Sequence, residues 1–163
     1  MLTADLTFIL AHGAWADGSS WSKVITRLLH RDIKAVMAPL PLTSLADDVA
    51  AVERIVEWVG GPGVLVGHAY AGIGRRAGCA GSRAATQSPA CITVPVARPL
   101  WKDVPSWYLV AEHDRMIVED TQRFMARRMN AKLVAHPVDH VPSVTAPDAV
   151  VDLFLQAAQG IAG

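Results

Sequence analysis

Charge is scarce in this 163-residue chain, at 18% of residues, and fifteen basic and fifteen acidic side chains cancel to a formal net charge of zero. A whole-chain basic field for nucleic acid is therefore missing. Neutral surfaces also associate readily, which raises the expectation of a partner chain. Only two cysteines occur, Cys79 and Cys91. That is too few for a disulfide framework, and they read as free thiols of a cytoplasmic protein. No long apolar run is present. The longest charge-free stretch, Trp58 to Gly74, contains Pro62 and six glycines, so it reads as strand plus turn rather than a membrane span. The first basic residue is Lys23, and the positive flank of a secretory leader is not expected. No Asp or Glu stands between Glu57 and Asp103. What the chain does have is apolar content: 52% of residues are hydrophobic, with a mean hydropathy of +0.27. That suffices for one core and argues against disorder; the length suits a single domain over 1–163.

Strand-like and helix-like segments alternate. Leu6 to Leu10 is a short β-rich run stopped by His12-Gly13. Ser19 or Ser20 is placed to cap a helix whose apolar residues Trp21, Val24, Ile25, Leu28 and Leu29 recur at helical spacing. Ile33 to Ala38 is a second strand, ended by Pro39 and Pro41. Ser44 then caps a helix with Asp47 and Asp48 in its first turn, an apolar face of Leu45, Val49, Val52, Val56 and Val59, and Gly60-Gly61 as its stop. Gly63 to Gly67 and Val104 to Ala111 are further strands, followed by a helix over Glu119 to Met129. A strand over Ala131 to Val138 comes next, then a last helix capped by Thr145 and running through Gln156. This order predicts an α/β protein, a mostly parallel sheet flanked by helices. The stretch from Gly74 to Leu100 fits poorly: its glycines weaken a helix by about 1 kcal/mol each, and only Cys91 to Val96 offers a strand, with Pro95 favouring an edge.

Gly67-His68-Ala69-Tyr70-Ala71-Gly72 directly follows a buried strand. Strand, tight turn, small flanking residues and a helix start make the geometry of a nucleophile elbow, whose central residue is normally serine. Here the centre is Ala69, while Gly67 and Ala71 keep the small flanks. With Phe8 to Trp15 (FILAHGAW), Pro105 to Asp114 (PSWYLVAEHD), Gln122 to Met125 and Asp139-His140 in order, the chain resembles the α/β-hydrolase superfamily. Within it, the likeness is to the branch of small esterases and hydroxynitrile lyases. The resemblance covers about 1–72 and 101–157.

The resemblance implies a reduced α/β-hydrolase core without a cap domain, acting on small carboxylic esters. It makes Ala69 the nucleophile position, Asp114 the acid that orients the base and His140 the base. Backbone N–H groups of Ala14 and Tyr70 would form the oxyanion hole. His12 is expected to shape the oxyanion turn by hydrogen bonding, His68 to pack or bond to backbone, and His113 to be solvated. Trp15, Trp21 and Trp107 read as packing residues, with Trp15 near the inferred pocket.

Two departures limit the inheritance. A methyl group cannot attack a carbonyl, so the acyl-enzyme route is closed at Ala69. Three explanations stay open: an engineered knockout, a natural binding pseudoenzyme or assembly module, or water- or base-driven lyase-like chemistry through His140. The second departure is length. Only 45 positions separate Ala69 from Asp114, too few for a helix, a strand and a lid, whereas the 26 between Asp114 and His140 suffice for a helix and a strand. The deficit lies within 73–100. A missing strand would leave a sheet edge or gap, filled by Cys91 to Val96 or by a second chain; a homodimer, with domain swapping as one route, is the expectation.

Other chemistries find little support. Gly72 to Ala77 matches G-x-G-x-x-A, but the acidic residue about 20 positions on that would bind a ribose is missing, and no phosphate-binding P-loop occurs. His136 and His140 are four apart, yet Pro137 between them denies the helical geometry of a zinc pair. No cofactor and no metal are expected. Ser19, Ser20, Cys79 and Ser143 are nucleophiles by chemistry alone, and none lies on the elbow.

Overall fold

The computed structural model describes residues 5–71 and 100–162. Three short strands, β1 (Thr7–Ala11), β2 (Lys34–Ala38) and β3 (Gly63–Gly67), form a parallel sheet in the order β2-β1-β3. Two more, β4 (Trp107–Ala111) and β5 (Lys132–His136), form a parallel pair. The helices are α1 (Ser22–Leu29), α2 (Leu45–Val59), α3 (Glu119–Arg128), the single turn α4 (Pro142–Thr145) and α5 (Pro147–Ala162).

β1 is the buried centre, and its alternation divides the core in two. Phe8 and Leu10 point to one face, where they meet Val24 and Leu28 of α1 and Val150, Val151 and Phe154 of α5. The Phe8 and Phe154 rings stack 5.0 Å apart. Ile9 and Ala11 point to the other face, packing with Ala38, Leu40 and Leu42 beneath Val52 and Ile55 of α2. Val64 and Val66 of β3 and Leu109 of β4 all pack against the first cluster. The two sheets thus rest on one helical layer, although no backbone ladder joins β3 to β4 among the described residues.

The expected alternation is present, with shifted ends and three local corrections. Asp17, not Ser19 or Ser20, is the first cap: its carboxylate accepts from the Ser19 N–H at 2.8 Å, because a 3-10 turn over Gly18–Trp21 precedes α1. Thr145 does not cap α5. Its hydroxyl is taken by the Asp139 carboxylate at 2.8 Å, and the helix begins at Pro147, whose ring suits a first turn. α2 is rotated from its expected face. Asp48 and Ala51 are buried while Val49 and Val56 are exposed, because the Asp48 carboxylate accepts from the Leu42 N–H at 2.8 Å. Ser44 and the left-handed Gly60 do terminate α2. Cys79, Cys91 to Val96 and the G-x-G-x-x-A match lie outside the described residues.

Candidate active site

The site is built from the carboxyl ends of three strands, the end at which parallel sheets collect ligands. β3 runs into a 3-10 turn over Ala69–Ala71. Ala69 takes a left-handed φ of +47°, a conformation that costs an L-residue about 1 kcal/mol or more. The turn is closed by the Ala71 N–H on the His68 carbonyl at 3.1 Å and tied to β1 by the His68 N–H on the Ala11 carbonyl at 3.1 Å. A strained non-glycine residue directly after a strand is the backbone signature of an elbow.

Asp114 and His140 meet. The His140 Nδ1 lies 2.8 Å from Asp114 Oδ2, and both side chains are largely buried. A carboxylate only accepts, so Nδ1 carries a proton, and in the neutral tautomer the lone pair is then on Nε2. The Asp114 Oδ1 accepts the backbone N–H groups of Met116 at 2.7 Å and Ile117 at 3.0 Å, which fixes the carboxylate's plane. Gln122, a buried residue of α3, braces this turn. Its amide donates to the Ala111 carbonyl at 3.0 Å and the Ile117 carbonyl at 2.7 Å, and its oxygen accepts the Ala111 N–H at 2.8 Å. The His140 loop is braced by Asp139, whose carboxylate accepts the Val141 N–H at 2.9 Å and the Thr145 hydroxyl.

Ala14 is buried after His12-Gly13. His12 is also buried. Its Nε2 accepts the Leu40 N–H at 3.2 Å, so its Nδ1 donates to the Gly13 carbonyl at 3.0 Å. Both ring nitrogens are used in shaping the turn. His68 bonds to backbone, with Nε2 2.7 Å from the His140 carbonyl. Its imidazole pKa is lowered, chiefly because burial disfavours the cation. His113 is exposed. Tyr108, beneath the acid on β4, has its phenol pushed up to about 12 by burial and then by the Asp114 charge.

A cleft of about 820 Å³ opens beside Asp114, Met116, His140 and Val141. Ala69 is not among its described lining residues. The structural roles of Gln122 and Asp139 escaped the sequence reading. For Asp139 a signal existed, an Asp ahead of a proline-initiated turn; Gln122 gave none, since three of its four bonds go to backbone groups and the fourth, to Asp114 Oδ2 at 3.5 Å, spans eight positions. Among the described residues, no group of three or more His, Cys, Asp or Glu is placed to hold a metal, and no helix is long and apolar enough to cross a membrane.

A three-layer parallel α/β architecture, with a left-handed turn at Ala69 and a hydrogen-bonded Asp114 and His140 at successive strand ends, defines the fold. A model of the alpha/beta hydrolase family matches residues 75–153. Solved structures agree. A pyrethroid hydrolase from Sphingobium faniae JZ-2 superposes with a TM-score of 0.77 at 15% identity, covering 94% of this chain and 97% of that one. The thioesterase domain of a curacin biosynthetic pathway gives 0.73 at 13% identity, covering 92% and 90%. A yden-like hydrolase from Pectobacterium atrosepticum gives 0.63 at 14% identity, covering 97% and 93%. No curated protein matches the sequence. The chain is an α/β-hydrolase-fold protein.

Proposed function

We propose that this chain is a carboxylesterase-type scaffold for small esters whose nucleophile position is occupied by Ala69. The observation that carries this reading is the 2.8 Å Asp114–His140 hydrogen bond, which leaves the His140 Nε2 as the free basic atom. In the complete reaction a hydroxyl at position 69 would attack the ester carbonyl while His140 takes its proton. Asp114 would hold the imidazolium, and the Ala14 and Tyr70 N–H groups would receive the developing oxyanion. His140 would then protonate the departing alkoxide and activate the water that releases the acid. Hydrolases and a thioesterase among the structural neighbours support this direction. With alanine in place, the site binds ester-like ligands and turns them over poorly.

The test is A69S assayed with p-nitrophenyl acetate. Restoring a triad nucleophile is expected to raise kcat by on the order of 10³ or more. No gain over the parent would favour a non-catalytic binding or assembly module. Turnover by the parent that is lost in H140A without an acyl intermediate would instead mark lyase-like chemistry at His140.

The same reading makes the protein a homodimer. Its support is the β3 edge, which pairs only with β1 among the described residues. Size-exclusion with light scattering should show twice the chain mass; a single 17.4 kDa particle overturns the dimer.

A further inference from the structure

His68 is placed against the elbow, the His140 loop and the oxyanion turn. It is itself part of the elbow, next to Ala69. Its Nε2 sits 2.7 Å from the His140 carbonyl oxygen, 72 residues away in sequence. Its ring lies 5.1 Å from the His140 ring. Its Nδ1 abuts Gly13 of the oxyanion turn so closely that a Cβ there would come within 2.9 Å. The Trp21 ring meets it edge-on at 6.4 Å. Because a carbonyl oxygen only accepts, Nε2 must carry the proton, and Nδ1 is a bare nitrogen, buried and without a hydrogen-bond partner among the described residues. A side chain kept only for packing gains nothing from leaving that atom unpaired.

We propose that His68 is the positioning residue of this site: its Nε2–H clamps the His140 backbone carbonyl and thereby sets where the His140 imidazole stands relative to position 69 and the Gly13-Ala14 turn. His68 touches neither substrate nor the transferred proton in this role. It acts through His140, whose side chain is aimed from one end by Asp114 and whose backbone is held from the other by His68. Gly13 is required in the same arrangement, because any side chain there would push the His68 ring off the carbonyl.

This inference rests on the esterase reading for its kinetic arm and stands on spectroscopy without it. The variants are H68L, which removes the donor, and H68Q, whose amide nitrogen reaches the same carbonyl. In the protein without further change, proton NMR should show a downfield His140 Nδ1–H resonance from the Asp114 bond. H68L is expected to lose or broaden it and H68Q to retain it. In the A69S background, H68L should lower kcat by about 10- to 100-fold, the cost of misplacing a reacting group by a fraction of an ångström, with KM little changed. H68Q should recover most of that loss. Should H68L fail to fold by circular dichroism, H68N, whose amide is too short to reach the carbonyl, takes its place in both arms. An unchanged resonance and kcat in H68L overturn the proposal, and so does an equal loss in H68L and H68Q, which would mark His68 as packing. Inactive A69S would count against the esterase reading, while the resonance still decides the role of His68.

Discussion

Position 69 combines a left-handed backbone with a side chain that can neither attack nor donate. The surroundings stay committed to polar work: a carboxylate with four donors around it, an imidazole with one free nitrogen, and a second imidazole whose pKa burial lowers. That lowered pKa has a consequence for stability. The His68 pKa falls below its ordinary 6.5 on folding, chiefly from burial, with His140 and His12 adding to the shift. The bond to the His140 carbonyl and the Asp114 charge oppose it. The unfolded chain therefore binds the proton first. His68 leaves stability intact above about pH 6.5 and erodes it as pH falls toward the lowered value. The thermal midpoint should drop more between pH 7 and pH 5 in the parent than in H68Q; equal drops would show that His68 does not titrate this way. Tyr108 behaves oppositely at high pH. With its phenol at about 12 rather than 10.0, ultraviolet absorbance should show it un-ionised until well past pH 10, and stability should decline from about pH 10 upward as the unfolded phenol ionises first. Asp114 and His140 were legible as a pair because the resemblance carries an acid and a base onto those two strand-end positions. The clamp by His68 was not, because its partner is a carbonyl 72 positions away and a backbone partner leaves no mark on residue type.

Local chemistry governs some elements and distant chemistry others. α2 was legible at both ends, since Ser44 accepts the Asp47 N–H at 3.1 Å and Gly60 takes φ +60°, needs that nearest neighbours alone satisfy. Replacing the cap with S44A should cost about 1 kcal/mol, read as a lower urea midpoint. The buried face of α2 was not legible, because the Leu42 N–H recruits Asp48 inward and turns Val49 and Val56 to the surface. Gln122 is the stronger case. Its three backbone bonds hold the end of β4 to the turn that presents Asp114. Q122L buries those groups without partners and should destabilise by about 3 kcal/mol, with the Asp114–His140 resonance broadened. A loss under about 1 kcal/mol would mean that water replaces the amide freely.

At the scale of the molecule, two short parallel sheets share one helical layer, with Val64, Val66 and Leu109 all resting on the cluster around Phe154. The order of elements revealed this architecture in advance, because β-rich runs and amphipathic helices alternate through 5–71 and 100–162. Residues 73–100 gave no such periodicity. Their glycines, arginines and prolines remove the pattern on which the reading depends. α1 is tied to α5 at its rim by Arg27 on Asp148, at 2.6 Å, and to α4 by Lys23 on the Val144 carbonyl, at 2.8 Å. α4 follows the His140 loop directly, so the Lys23 bond ties that end of the loop to the helical layer.

The most direct measurement is intact-mass spectrometry of A69S after exposure to a fluorophosphonate, a reagent that labels a serine only when a base and an oxyanion hole act on it together. One adduct per chain is expected, mapping to position 69. It should be absent from the parent and slowed by on the order of 10³ or more in A69S/H140A. An unlabelled A69S protein, or labelling at position 69 that is indifferent to His140, would contradict an ester-cleaving site assembled around this elbow.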